Sequence, residues 1–248
     1  MECWNNGKYC IWKRAKGSKA EKLHALCTLE EEQRTMKITI LYDNVVYKKG
    51  LQADWGFSCL VEIEKMPTIL FDTGANGSIL LYNMAKLGID PAFIGEVFIS
   101  HAHFDHVGGL SAFLNVKSDV NIYLPSSLRG VRGGKNVISV NAPLKIHENV
   151  FSTGELDHIE QIMAVKTDKG VVLIAGCSHP KMTHILEAAS QFGEIYAIVG
   201  GLHGFSEYEL FEDFEVICPA HCTQHMKELK SLYPQKYIEG GVGQVIVL

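Results

Sequence analysis

No stretch of this 248-residue chain stays apolar for the roughly 18 residues that a membrane-spanning helix requires, so a membrane role is not expected. An excess of positive charge is also missing. Lysine and arginine number 23 against 28 acidic residues, which leaves a formal net charge of −5 and no basic stripe for general nucleic-acid binding. The seven cysteines, at positions 3, 10, 27, 59, 177, 218 and 222, form no CxxC pair and are odd in number. A disulfide framework is therefore not indicated, and reduced thiols in a cytoplasmic protein are the simpler expectation. The basic-then-apolar pattern of an export signal is absent from the first residues, in line with that location. What remains is a chain that is 47% hydrophobic, long enough for one large or two small globular domains.

Residues 1–35 differ from the rest, with Lys8, Lys13, Arg14, Lys16, Lys19 and Lys22 followed by the acidic run Glu30-Glu31-Glu32. Within this extension 20–33 reads as an amphipathic helix, with Leu23, Leu26 and Leu29 near one face. A working domain is expected over 36–248, and Met36 itself reads as a possible natural start, the alternative being a regulatory or docking extension. From Met36 onward strand patterns are dense. Strands are expected at 36–42, 56–63, 68–72, 97–100, 120–124, 163–167, 170–175, 195–199, 216–218 and 242–248. Helices are expected at 78–87, from Leu110, at 183–192 and at 208–214. Between them, 126–135 is a glycine-rich loop carrying Arg129, Arg132 and Lys135. It reads either as a solvated connection or as a cradle for an anionic group, and it lacks the spacing of a P-loop.

Polar residues recur just past the strand ends: Asp72, His101, His179, His203 and His221. Alternating strands and helices with chemistry gathered at one sheet edge predict a layered α/β fold, with two sheets face to face and helices outside. The densest chemistry is Ser100-His101-Ala102-His103-Phe104-Asp105-His106, directly after Val97-Phe98-Ile99. Period-two alternation turns His101 and His103 the same way at the strand end, and Asp105 and His106 can return to that point from the start of a helix. Unpaired imidazoles packed this closely would repel on protonation. Imidazole with carboxylate suits Zn, Mn, Fe or Co, so one or two divalent ions per chain are expected.

The His-x-His-x-Asp-His element at 101–106, preceded by Leu70-Phe71-Asp72-Thr73-Gly74, resembles the metallo-β-lactamase superfamily from about Met36 to the end of the chain. Tyr42-Asp43-Asn44, Trp55-Gly56-Phe57-Ser58, Gly176-Cys177-Ser178-His179-Pro180, Gly200-Gly201-Leu202-His203 and His221-Cys222-Thr223 are similar to one branch. That branch contains the archaeal dihydropterin-ribofuranosylaminobenzene-phosphate synthase. The resemblance implies a four-layer αββα sandwich of two mixed sheets with a one- or two-metal site at its edge. It carries over His101, His103, Asp105, His106, His179 and His221 as metal-ligand candidates. Hydrolytic members place a third ligand histidine before the strand that ends at Cys177, where this chain offers only His158, and His179 is the better candidate.

In the two-metal reading His101, His103 and a later histidine hold one ion, and Asp105, His106 and His221 hold the other. The bound hydroxide would attack a small ester, phosphoester or lactone. Asp72 is expected either to orient a ligand histidine or simply to form its turn. Cys177 reads as a ligand, a redox-sensitive neighbour or a small buried apolar residue. His203 reads as a proton donor, a substrate contact or a ligand. The alternative function is condensation of a dihydropterin with a phosphorylated ribofuranosyl-aminobenzene, whose phosphate would need Arg129 and Arg132. A di-iron redox role is disfavoured, because His103 stands where such proteins tend to carry an acid. The expected partner is a small-molecule substrate, phosphorylated in the condensation reading, rather than nucleic acid. Zinc is placed first among the metals, ahead of manganese and iron.

Overall fold

The computed structural model describes residues 35–248 together with the backbone of two short strands near the N-terminus. The chain divides into two compact units, 1–33 and 34–248. In the first, β1 (Glu2–Asn5) pairs antiparallel with β2 (Lys8–Ile11). The helix expected over 20–33 lies outside the described residues.

The second unit holds two mixed sheets of similar construction. Its first sheet contains β3 (Met36–Tyr42), β4 (Ser58–Ile63), β5 (Thr68–Phe71), β6 (Ile94–Phe98), β7 (Asn121–Pro125), β8 (Asn136–Val140) and β15 (Val245–Val247). The order is β15-β3-β4-β5-β6-β7-β8. The second contains β9 (Leu144–His147), β10 (Val150–Leu156), β11 (Glu160–Thr167), β12 (Gly170–Ala175), β13 (Ile195–Gly201) and β14 (Val216–Ala220), in the order β14-β13-β12-β11-β10-β9. Each sheet begins as an antiparallel meander and ends in parallel strands: β5 through β8 in the first, β12 through β14 in the second.

Strand residues alternate between an inner and an outer apolar layer. On β12, Val172 and Ile174 face the inter-sheet core, while Val171, Leu173 and Ala175 face outward beneath helices. On β5, Ile69 and Phe71 point inward and Leu70 outward. Because both faces are covered, these strands read as unbroken apolar runs. The outer layer of the first sheet packs with α1 (Gly77–Leu87) and α3 (Leu110–Val116), and that of the second with α4 (Met182–Ser190) and α5 (Met226–Leu232). The result is the αββα sandwich that the sequence implies.

Local chemistry fixes the helix ends. The Asn76 side chain accepts from Ser78 N–H at the start of α1, and Gly88 closes that helix at φ 73°, a left-handed position where a side chain is strained. The segment expected as a helix at 208–214 is only a 3-10 turn at Tyr208–Phe211. Strands β8, β9 and β10 and helix α5 were not anticipated. Strand β8 is exposed over most of its length, and β10 is broken by a register shift beside Gly154, so neither shows a clean alternation.

The parallel strands of each sheet put their C-terminal ends on one edge, where the two sheets meet. Gln161 N–H donates to the Ser100 carbonyl at 2.9 Å, and the Gln161 amide donates to the Ile99 carbonyl at 2.8 Å. His101 and Glu160 form an antiparallel bridge beside them.

Candidate metal centre

Four polypeptide segments bring ligands to this edge. Residues 101–106 leave β6 and enter the single-turn helix α2 (Phe104–Val107), while 177–179, 203 and 221–222 follow β12, β13 and β14. Asp72 past β5, Ser178 past β12, His203 past β13 and His221 past β14 all have positive φ, between 45° and 56°. Non-glycine residues seldom hold this conformation, and its concentration here marks backbone strained to aim side chains. Gly176 satisfies a second constraint: a side chain there would collide with Ser100 Oγ and press on His101 Nδ1.

Three ring nitrogens converge first. His103 Nδ1 lies 3.1 Å from His101 Nε2 and 3.1 Å from His179 Nε2. Beside them His221 Nε2 lies 3.2 Å from Asp105 Oδ2, and the Cys177 thiol sulfur lies 3.2 Å from His106 Nε2. Among the described residues, His101, Cys177 and His179 form one group able to hold a metal, and His106, Cys177 and His221 form another. Cys177 belongs to both.

The partners behind the rings determine where the lone pairs face. Ser100 Oγ donates to Asp72 Oδ2 at 2.6 Å, which leaves it to accept from His101 Nδ1–H at 2.9 Å. His106 Nδ1–H donates to Asp72 Oδ2 at 2.7 Å, and His221 Nδ1–H donates to Asn44 Oδ1 at 3.0 Å. This tautomer assignment turns each Nε2 lone pair into the cluster. His221 Nε2 is buried and has no hydrogen-bond donor to satisfy it, with the acceptor Asp105 Oδ2 3.2 Å away. Converging imidazole lone pairs, an orphaned buried nitrogen, a carboxylate and a thiol fit divalent cations of borderline softness.

Electrostatics keep three of these imidazoles neutral. Burial and the neighbouring rings hold His101 far below the ordinary imidazole value. Burial, then His103 and His203, brings His179 to about 4. His221 is lowered by burial and by His106. His106 goes the other way: burial opposes its charge, but the Asp72 carboxylate outweighs it and the net shift is upward. Burial raises Asp43 to about 6 and lifts Glu160 above the usual carboxyl range. In metal-free protein below pH ~6.5, unfolding exposes His101, His179 and His221 to protons that the fold refuses. Asp43 and Glu160, raised in the fold, act in the opposite sense. The three imidazoles outweigh these two carboxyls, so unfolding takes up protons near pH 5. The urea midpoint of metal-free protein should therefore be lower at pH 5 than at pH 7, and an equal or higher midpoint would contradict this balance.

Asp72 is fully buried, and besides His106 it accepts from Ser100 N–H at 2.7 Å. His203 is exposed, its ring 5.0 Å from that of His179, on the open side of the cluster and in neither ligand group. His158 is exposed in the turn between β10 and β11 and also lies outside both groups. Arg129 and Arg132 are exposed on the 126–135 loop. That loop leaves the site edge after β7 and returns to the opposite edge, where Lys135 N–H donates to the Val120 carbonyl and Lys135 pairs with Asp119. Lys135 is thereby separated from the metal-ligand candidates.

Several site residues had no role assigned from sequence. Glu160 and Gln161 carried no signal, since one Glu-Gln pair inside a strand looks like any other. Asn44 and Trp55 stood within the resemblance motifs. Trp55 is 59% exposed, yet its ring meets that of His221 edge-on at 5.0 Å. Phe104, between His103 and Asp105, is 70% exposed.

Comparison with known proteins agrees with this architecture. Residues 56–134 match the model of the metallo-β-lactamase superfamily. The chain is 25% identical to the 7,8-dihydropterin-6-methyl-4-(β-D-ribofuranosyl)-aminobenzene-5'-phosphate synthase of Methanocaldococcus jannaschii, over 75% of this chain and 86% of that protein. A solved metal-dependent hydrolase of the β-lactamase superfamily superimposes with a TM-score of 0.66 at 25% identity, covering 85% of this chain and 98% of its own. A metallo-β-lactamase-fold protein from Bacillus subtilis gives a TM-score of 0.64 at 14% identity, over 87% of this chain and 100% of its own, a likeness of fold alone.

Proposed function

We propose that this chain, whose residues 56–134 match the model of the metallo-β-lactamase superfamily, is a metal-dependent hydrolase of a small ester, phosphoester or lactone. The observation that carries this reading is the convergence of His101, His103 and His179 beside the orphaned His221 Nε2 and Asp105. His101, His103 and His179 would hold one divalent ion, with Asp105, His106 and His221 holding a second and Cys177 within reach of both. Such ions, when bound, lower the pKa of water toward about 7 and polarise a carbonyl or phosphoryl oxygen.

The chain's own residues supply the rest. Asp72 keeps His106 in one tautomer, and Asn44 does so for His221. His203, exposed with its ring 5.0 Å from that of His179, would give or take a proton. Zinc-loaded protein tested on ester, lactone and phosphodiester substrates in ¹⁸O-labelled water should form product carrying the label. Turnover without label, or none on any of the three, would overturn the reading.

A second reading follows the archaeal relative, whose name denotes a synthase. Here the same site would serve condensation of a dihydropterin with a phosphorylated ribofuranosyl-aminobenzene, and Arg129 and Arg132 would meet the phosphate. Under this reading the double variant Arg129→Ala, Arg132→Ala should lose about tenfold or more in affinity for the phosphorylated riboside, as removing two charge-assisted contacts implies. Unchanged affinity would remove the loop from the account.

A further inference from the structure

Glu160 is a fully buried carboxylate that pairs with no cation among the described residues. Its two oxygens instead collect four consecutive backbone N–H groups from the loop after β12. Oε1 accepts from Gly176 at 2.9 Å, Cys177 at 3.0 Å and Ser178 at 3.2 Å, and Oε2 accepts from His179 at 2.8 Å. Successive amides aimed at one point form the kind of concavity that ordinarily holds a phosphate or another anion. Here a side chain of the protein fills it. The backbone of Glu160 is meanwhile bridged to His101, and the next residue donates to Ser100. One residue thus ties ligand candidates of one sheet, His101 and His103, to those of the other, Cys177 and His179.

We propose that Glu160 is the positioning residue that registers the two halves of the metal centre, setting the affinity of the ion held by His101, His103 and His179. This inference rests on the metal reading above. No metal need touch Glu160: it acts through the amides of the residues that bear the ligands. The strained φ of 56° at Ser178 is held by this cradle together with the Ser178 Oγ hydrogen bond to the Gly201 carbonyl. Oε1 alone covers Gly176, Cys177 and Ser178, while Oε2 covers His179, so the two oxygens can be separated chemically.

Glu160→Gln makes that separation. The glutamine oxygen can replace Oε1 and retain three amides, but its NH₂ then faces the His179 N–H, donor against donor. Full-length metal-free protein is titrated with Co²⁺ and followed by its visible d–d bands, with competition by a chelator and urea unfolding of the same samples. The wild type is expected to bind two equivalents. Glu160→Gln should bind one of them with wild-type affinity and the other about 10–100-fold more weakly, the usual size of an effect transmitted through a ligand's supporting partner. Glu160→Asp, one methylene too short to reach the loop, should lose affinity for the same equivalent.

Two equal wild-type affinities in Glu160→Gln overturn the proposal. So does a proportional weakening of both equivalents that tracks a fall in the urea midpoint, since that is what general destabilisation gives. A wild type that binds no cobalt overturns the metal reading along with it, which separates the two failures.

Discussion

Asp72→Ala is expected to lower the stability of the protein by about 3–5 kcal/mol, because it removes one partner from a buried, hydrogen-bonded charge network. The carboxylate is fully buried and accepts from Ser100 N–H, Ser100 Oγ and His106 Nδ1 at 2.6–2.7 Å. Alanine strands all three donors in a fully buried position. Asp72→Asn is the more informative change, because it keeps the volume. With its oxygen in the place of Oδ1 it keeps Ser100 N–H, but its NH₂ then meets both Ser100 Oγ and His106 Nδ1, and the histidine must give up that proton and carry it on Nε2. The lone pair that faced Cys177 and Asp105 would be lost. Asp72→Asn should therefore fold, unfold at moderately lower urea, and bind metal at the His106 group about 10–100-fold more weakly. Equal metal affinity in Asp72→Asn and wild type would reduce Asp72 to the turn residue that its Asp-Thr-Gly context also allows.

Phe98→Ala should cost a similar amount, about 3–5 kcal/mol, for a different reason: it empties part of a close-packed core. Phe98 is fully buried between the sheets and stacks on Phe71 with ring centroids 5.4 Å apart. These two rings stand at the ends of β5 and β6, one residue before Asp72 and three before His101. Collapse around the cavity would move both strand ends, so a loss in metal affinity should accompany the fall in the urea midpoint. Phe98→Leu, which fills most of the space, should recover the larger part of both. Stability lost without any change in metal affinity would show that the strand ends are held by their own hydrogen bonds rather than by the core beneath them.

The parts of this molecule that could be read from residues alone are those where one local rule acts. Apolar runs such as 170–175 read as strands because both sheet faces are covered. The His-x-His-x-Asp-His spacing reads as converging ligand candidates because a strand end and the helix after it turn these side chains toward one point. Gly88 reads as a helix stop because it takes the left-handed conformation. Strands β8 to β10 escaped because exposure and a bulge erase the alternation that a strand would otherwise show. Glu160 escaped for a deeper reason. Its partners are backbone amides sixteen to nineteen residues away, and backbone groups leave no mark on a sequence. Likewise, nothing near Asn44 in the chain tells that its side chain will grip His221, 177 residues on. The basic loop at 126–135 shows the opposite limit. Its charges are adjacent in sequence, yet the chain carries Lys135 to the far edge of the sheet.

The central claim, that one edge of this sandwich assembles two adjoining metal sites, is tested most directly by metal content per chain. Elemental analysis of untagged wild-type protein and of His179→Ala is the measurement to make. Two equivalents in the wild type and about one in His179→Ala is the result expected of the ligand grouping described above. One equivalent or none in the wild type, or two retained in His179→Ala, would contradict it.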